Sequence, residues 1–170
     1  MKAPNARAEG RLLERQDELA AIEAQTEAAG EGRGSLLLIE GPAGIGKTEL
    51  LTAAGELAAG AGMEVLAARA GELEQSLAYG VVRQLFESRV MSASETERRE
   101  LLSGAASLAT AALGEHAAAP AASAPAASLG DPATSIQHGL HWLAVNLGER
   151  APLVLCVDDL QWADTASIRG

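Results

Sequence analysis

The feature that most limits what this chain can fold into is an order of three segments: the apolar run Leu36-Leu37-Leu38-Ile39, a glycine-rich octapeptide, and then a helix-forming run. The octapeptide Gly41-Pro42-Ala43-Gly44-Ile45-Gly46-Lys47-Thr48 has the spacing G-x-x-x-x-G-K-T. Strand, loop and helix in that order surround a phosphate chain with backbone amides, so the expected guest is ATP or GTP. Gly41, Gly44 and Gly46 let the backbone take positive φ and approach phosphate oxygens without an intervening side chain. The helix begins near Lys47, which turns its first amides and positive dipole end toward the anion. The Lys47 ammonium is placed to reach the β and γ phosphates, and Thr48 supplies a hydroxyl for Mg2+. Lysine usage sharpens the reading, because Lys2 is the only other lysine and Arg carries the remaining basic charge.

Around this loop the chain reads as alternating helices and strands. Residues 12–29 form a weakly amphipathic helix stopped by Gly30-Glu31-Gly32, residues 35–40 a buried strand, and residues 47–59 the helix after the loop. Residues 63–70 form a second strand beyond Gly60-Ala61-Gly62, giving a strand-helix-strand crossover that favours a parallel sheet. Residues 77–90 are helical, with Val81, Val82, Leu85 and Phe86 on one face. A further helix starts near Ala93, with Ser92-Ala93-Ser94-Glu95 as its capping box. Residues 1–11 are a flexible N-terminus, and about 113–130 an Ala/Pro-rich flexible loop with almost nothing bulky to bury. Asp131-Pro132 caps and opens a helix that carries Ile136, Leu140, Leu143 and Val145 to Gly148.

A second motif closes the chain. Pro152-Leu153-Val154-Leu155-Cys156-Val157 is an apolar strand ending in Asp158-Asp159, the pattern of a Walker B motif. Such carboxylates lie at the carboxyl edge of the sheet, where an α/β fold binds its ligand. Asp158 is expected on the Mg2+ side, and Asp159 is expected to orient or deprotonate the attacking water.

Bulk properties exclude several classes. A net charge of −10 argues against this segment gripping a nucleic-acid backbone, which needs a basic face. No apolar run approaches the roughly 20 residues of a membrane span, and the start lacks an apolar leader, so a cytoplasmic protein is expected. Cys156, the one cysteine, reads as a small core residue. His138 and His141 lie three apart but have no third donor at metal-ligand spacing.

Four stretches together resemble a known family: Leu12-Leu13-Glu14-Arg15-Gln16-Asp17-Glu18-Leu19, Gly41 to Thr48, Val81-Val82-Arg83-Gln84-Leu85-Phe86, and Val157-Asp158-Asp159-Leu160-Gln161-Trp162-Ala163-Asp164. They are similar to the ATPase domain of large ATP-binding LuxR-type transcriptional regulators, in the STAND branch of AAA-related P-loop ATPases. The resemblance covers residues 12–170 and implies an α/β fold, a three-layer αβα P-loop NTPase with a parallel sheet. That sheet is expected to be incomplete, because family members continue past Walker B with further strands. It implies ATP and Mg2+ as cofactors, Lys47 and Asp159 as catalytic residues, and Thr48 and Asp158 toward the metal. Arg15 is placed near the adenine, and Gln161, Trp162 and Asp164 in a segment used for sensing or packing. Family members also carry a sensor residue and a helix-turn-helix beyond this segment. Nucleotide binding as a conformational switch, with slow or absent hydrolysis, is therefore the expected activity. Completion of the sheet by self-association or by another chain is a further expectation. Two alternatives are a small P-loop phosphotransferase and a non-catalytic interaction protein.

Overall fold

A computed structural model of the protein describes residues 15–72, 75–114 and 131–169. The expected N-terminal tail and most of the Ala/Pro-rich stretch lie outside the described residues. The chain divides into two compact units, Met1–Val65 and Leu66–Gly170, and each is described by itself.

The first unit is built on two helices, α1 (Gln16–Gly30) and α2 (Lys47–Gly60). Ile22 of α1 meets Leu50 and Ala53 of α2 in a small core, with Leu19, Ile39, Ala54 and Leu57 packed against it. Both helices end the same way. Gly32 (φ 81°) and Gly62 (φ 85°) take the left-handed conformation one residue past the cap. The next amide in each case, from Arg33 and from Met63, then donates back to the Ala28 and Ala58 carbonyls at 2.9 and 3.0 Å. This is a Schellman closure, and it satisfies carbonyls that a helix end would otherwise leave exposed.

Residues 35–40, expected as a buried strand, form none: Leu36, Leu37 and Leu38 are 95%, 47% and 62% exposed. Only Ile39 packs onto the core. A strand is stabilised by hydrogen bonds to a neighbour, and the sheet of the described residues contains only two strands, neither of them this one. Without a ladder the apolar run has no pleated face to bury.

The second unit takes in all but the first two residues of β1 (Glu64–Arg69), followed by α3 (Gly80–Ser92), α4 (Glu95–Leu101), α5 (Thr110–Leu113), α6 (Pro132–Gly148), β2 (Leu153–Asp158) and α7 (Thr165–Arg169). β1 and β2 pair in parallel, and the Ala70 amide extends the pairing to the Asp158 carbonyl at 3.0 Å. The result is the mixed α/β architecture expected, with a small parallel sheet consistent with a partial αβα P-loop fold. Its core joins Val82, Phe86 and Val90 of α3 to Leu101 and to Leu140, Leu143 and Leu147 of α6. Leu113, assigned to the flexible stretch on composition, is fully buried. One leucine among small residues carries little weight in an average yet fills a core position.

Two local details depart from expectation. The capping box of α4 is Ser94-Glu95-Thr96-Glu97, two residues later than read: Ser94 Oγ accepts from the Glu97 amide at 3.2 Å, and the Glu97 carboxylate accepts from the Ser94 amide. The Asp131 cap of α6 is as expected, accepting from the Ala133 amide at 3.4 Å. The second detail is Gly139 of α6, which lies against the 3-10 turn Gly104–Ala109. A Cβ there would stand 2.4 Å from the Ala109 nitrogen and 2.7 Å from the Leu108 carbonyl carbon. Glycine is needed for that approach, and fully buried Ala106 and Ala109 keep the facing turn small.

Because the obstruction is backbone, Gly139→Ala should destabilise the unit by about 1–3 kcal/mol, the usual cost of forcing atoms into a filled core. Gly148→Ala, where a Cβ meets nothing within 4 Å, should be neutral by comparison. Urea unfolding followed by circular dichroism checks both, and equal stabilities would contradict the close approach.

Candidate functional site

In the first unit, Gly44 (φ 76°) and Gly46 (φ 92°) both hold left-handed backbone on either side of Ile45. A Cβ on either glycine would meet nothing within 4 Å, so the space beside these peptides is open to a ligand. Gly41 is glycine for a different reason, since a Cβ there would press to 3.0 Å on Ile45 Cγ2. Gly46 is the N-cap of α2 and has no side chain with which to cap it, so nothing at that position competes with an anion for the first-turn amides. Lys47 folds back over the loop, its Nζ donating to the Gly41 and Pro42 carbonyls at 2.9 and 3.0 Å. Two of the three ammonium N–H bonds are thereby oriented, leaving the third for an incoming oxygen. Arg15 enters the same assembly, its Nη2 donating to the Ile45 carbonyl at 2.8 Å. The structure thus brings Arg15, Gly41, Pro42, Ile45 and Lys47 together, with Ala43, Gly44, Gly46 and Thr48 contiguous in the chain.

In the second unit, Asp158 ends β2 and Asp159 follows in left-handed backbone at φ 54°. One of the few non-glycine residues that tolerates this region is aspartate. Asp158 Oδ1 accepts from the Asp159 amide at 2.9 Å. Asp159 Oδ2 accepts from Arg69 Nε and Nη2 at 3.0 and 2.9 Å, and Oδ1 from Gln161 Nε2 at 3.2 Å. Arg69 was not singled out in the sequence; it ends β1, and strand pairing alone delivers it to the acidic pair. Its own amide donates to Gln84 Oε1 at 3.0 Å, which gives the glutamine of the Val81–Phe86 stretch a definite task.

Asp164 has the clearest role of the segment after β2. It is 4% exposed, the one buried charged residue described. Its Oδ1 accepts from the Tyr79 and Ser167 amides, each at 2.8 Å, and its Oδ2 from the Val81 amide at 3.5 Å. Ser167 Oγ in turn accepts from the Val82 amide at 3.2 Å. One carboxylate therefore caps α3 and α7 at once, and holds Tyr79 in left-handed backbone at φ 61°. Burial by itself would raise the Asp164 pKa, but hydrogen bonds from the Ser167 hydroxyl and from the Ser167, Tyr79 and Val81 amides outweigh it and hold the carboxyl below its ordinary value. Trp162 packs partly buried against the core, so of the family's two uses for this segment the packing one is visible.

Other candidates resolve as structural. His138 Nε2 accepts from Trp142 Nε1 at 3.2 Å, His141 meets the same indole edge-on, and the described residues hold no group of three metal-ligating side chains. Cys156 is buried, and burial pushes its thiol pKa up, which suits a core residue rather than a reactive thiol. No described helix is long and apolar enough to cross a membrane.

A glycine loop feeding a helix N-terminus, in the first unit, and a parallel strand ending in paired carboxylates, in the second, are each features found in P-loop ATPases. Residues 11–169 match the AAA ATPase domain, nearly the whole sequence, and the chain belongs to that family. Domains of this family generally use ATP and Mg2+. No curated protein and no solved structure gives a significant match.

The depressed pKa of Asp164 ties stability to pH. Its contribution is complete above the unfolded value, near 3.8, and is lost as pH falls through the lower folded value. Asp164→Ala should destabilise the unit by about 1–3 kcal/mol at pH 7, the cost of buried amides left without an acceptor. Chemical unfolding at pH 7 and across pH 2–5 checks this: the wild type should lose stability more steeply than the variant over that acid range. Parallel acid profiles would contradict it.

Proposed function

We propose that this chain is the Mg-ATP-binding module of a LuxR-type transcriptional regulator, with nucleotide occupancy setting its conformation and hydrolysis slow. The observation that carries the reading is the loop: left-handed Gly44 and Gly46 with open space beside them, and the Lys47 ammonium already drawn over the Gly41 and Pro42 carbonyls. A backbone arranged this way presents N–H groups to an anion without first rearranging, which favours binding. Gly41, Pro42, Ala43, Gly44, Ile45, Gly46, Lys47 and Thr48 would cradle the triphosphate.

In the first unit, Thr48 is proposed to face the metal side of the triphosphate; in the second, Asp158 is proposed as the Walker B acid. Magnesium, when bound, neutralises phosphate charge. Lys47 would stabilise charge on the β and γ oxygens, and Asp159 would orient water. Slow turnover is supported by the state of Asp159, whose two oxygens are engaged by Arg69 and Gln161. An acid that must give up charge-assisted bonds before accepting a proton is a weak base. The regulator assignment rests on the likeness of four separate stretches; in the second unit Gln84 and Asp159 both accept from Arg69, Gln161 donates to Asp159, and Asp164 accepts from the Tyr79 and Val81 amides at the start of α3.

A second reading, association with another chain along residues 35–40, is favoured by the exposure of Leu36, Leu37 and Leu38. An exposed apolar run without a ladder is a surface on which another strand can pair. Sedimentation velocity should show concentration-dependent dimers that Leu36→Glu/Leu38→Glu abolishes, and a monomer at every concentration contradicts this reading.

For the primary reading, calorimetry with Mg-ATP should give saturable binding that Lys47→Ala weakens by about 10- to 100-fold, the effect of one lost charge-assisted hydrogen bond. Unchanged affinity in that variant contradicts the assignment.

A further inference from the structure

We propose that Arg15 is a positioning residue of the nucleotide site, acting on the phosphates through the loop backbone and not on the base. The proposal rests on the reading of Gly41 to Thr48 as a triphosphate cradle, and it departs from the place beside the adenine that the family resemblance implies. Arg15 immediately precedes α1, and its backbone is fixed there because its carbonyl accepts from the Leu19 amide at 3.0 Å. The guanidinium is shared between two acceptors. Nη1 donates to Glu18 Oε1 at 2.6 Å, one turn along the same helix, and Nη2 donates to the Ile45 carbonyl at 2.8 Å.

The position of that carbonyl matters. Ile45 stands between Gly44 and Gly46, the two left-handed glycines of the loop, where the chain has the greatest freedom to rotate a peptide plane. The peptide joining Ile45 to Gly46 is trans, as are all the described peptides. In a trans peptide the carbonyl of one residue and the N–H of the next point to opposite sides. Holding the Ile45 carbonyl on Arg15 therefore holds the Gly46 N–H facing away from Arg15, so that this donor no longer samples both directions. A cationic donor on the carbonyl also polarises the peptide and strengthens the N–H at its other end.

The remaining contacts keep the clamp still. Glu18 fixes the second arm of the fork, which a planar guanidinium can span and an ammonium cannot. Ile22, two turns along α1 from Arg15, packs on Leu50 and Ala53 of α2, the helix that begins at Lys47. Arg15, the loop and the α2 N-terminus are thus referenced to one small core within the first unit. An arginine that touched only the base would have no need of the Ile45 carbonyl.

The test compares Mg-ATP, Mg-GTP and Mg-tripolyphosphate, which has no base, on wild type, Arg15→Ala and Arg15→Lys by calorimetry. Wild type should bind all three. Arg15→Ala should raise Kd by a similar factor, about five- to tenfold, for each ligand, because the lost interaction acts on the phosphates they share. Arg15→Lys should fall between, and in its ligand-free 15N-1H spectrum the Gly46 amide should shift from the wild-type position. This readout also serves if Arg15→Ala is poorly folded. A loss confined to ATP, with tripolyphosphate unaffected, would overturn the proposal in favour of a base contact, as would an unmoved Gly46 amide. If wild type binds none of the three ligands, the underlying nucleotide reading falls together with the role of Arg15; binding by wild type with no change in either variant sinks the role of Arg15 alone.

Discussion

Two left-handed peptides at Gly44 and Gly46 are the constraint on which the first unit is organised. They turn the chain from the apolar stretch before the loop into α2 without placing a side chain on the inner surface, and they leave the helix to begin at a residue that cannot cap it. A soluble protein ordinarily closes such a start with Ser, Thr, Asp or Asn, and the second unit does so with Ser94 on α4 and Asp131 on α6. α1, α3 and α5 also start without a cap from their own N-cap residues, Arg15, Tyr79 and Ala109, so what sets α2 apart is the open left-handed glycine at its start and the lysine that follows. Where local stability would have favoured a cap, the chain keeps an uncapped helix N-terminus beside a lysine, which is the arrangement an anionic ligand can complete.

The carboxylate that ends β2 and the two that follow it show how closely spaced residues of one chemical type divide their work by environment. Asp164 is buried and collects amide donors from α3 and α7, so its charge is spent on architecture. Asp159 is partly exposed, reached by Arg69 from the paired strand and by Gln161 from its own turn. Asp158, the last residue of β2, braces the Asp159 backbone. The two acids proposed to act on the nucleotide and the structural acid differ less in sequence than in what points at them. The short segment from Val157 to Ser167 thereby connects the acidic pair to the N-terminus of α3.

Much of the fold was legible where the determinants are local. The α2 and α6 boundaries followed from the glycine loop and from Asp131-Pro132, and β1 and β2 followed from apolar runs bounded by turns and acids. The loop residues and the acidic pair were legible for the same reason. Residues 35–40 were misread because an apolar run becomes a strand only with a neighbour, and neighbours are not encoded in the run itself. The α4 capping box was displaced because Ser92-Ala93-Ser94-Glu95 and Ser94-Glu95-Thr96-Glu97 satisfy the same pattern, and backbone geometry at Ser94 (φ −59°, ψ 159°) decides between them. The work of Asp164 and Arg69 depends on partners 85 and 90 residues away, and the tight approach at Gly139 depends on a turn thirty residues earlier; no periodicity reports such contacts.

In the proposed function, main-chain amides of the Gly41 to Thr48 loop receive a nucleoside triphosphate. The most direct measurement is a titration of the 15N-labelled chain with Mg-ATP, followed amide by amide in 15N-1H correlation spectra. The amides of Gly44, Gly46 and Lys47 should move furthest and saturate together. Amides of residues 41–48 that stay in place at millimolar Mg-ATP, in a chain whose spectrum shows it folded, would contradict it.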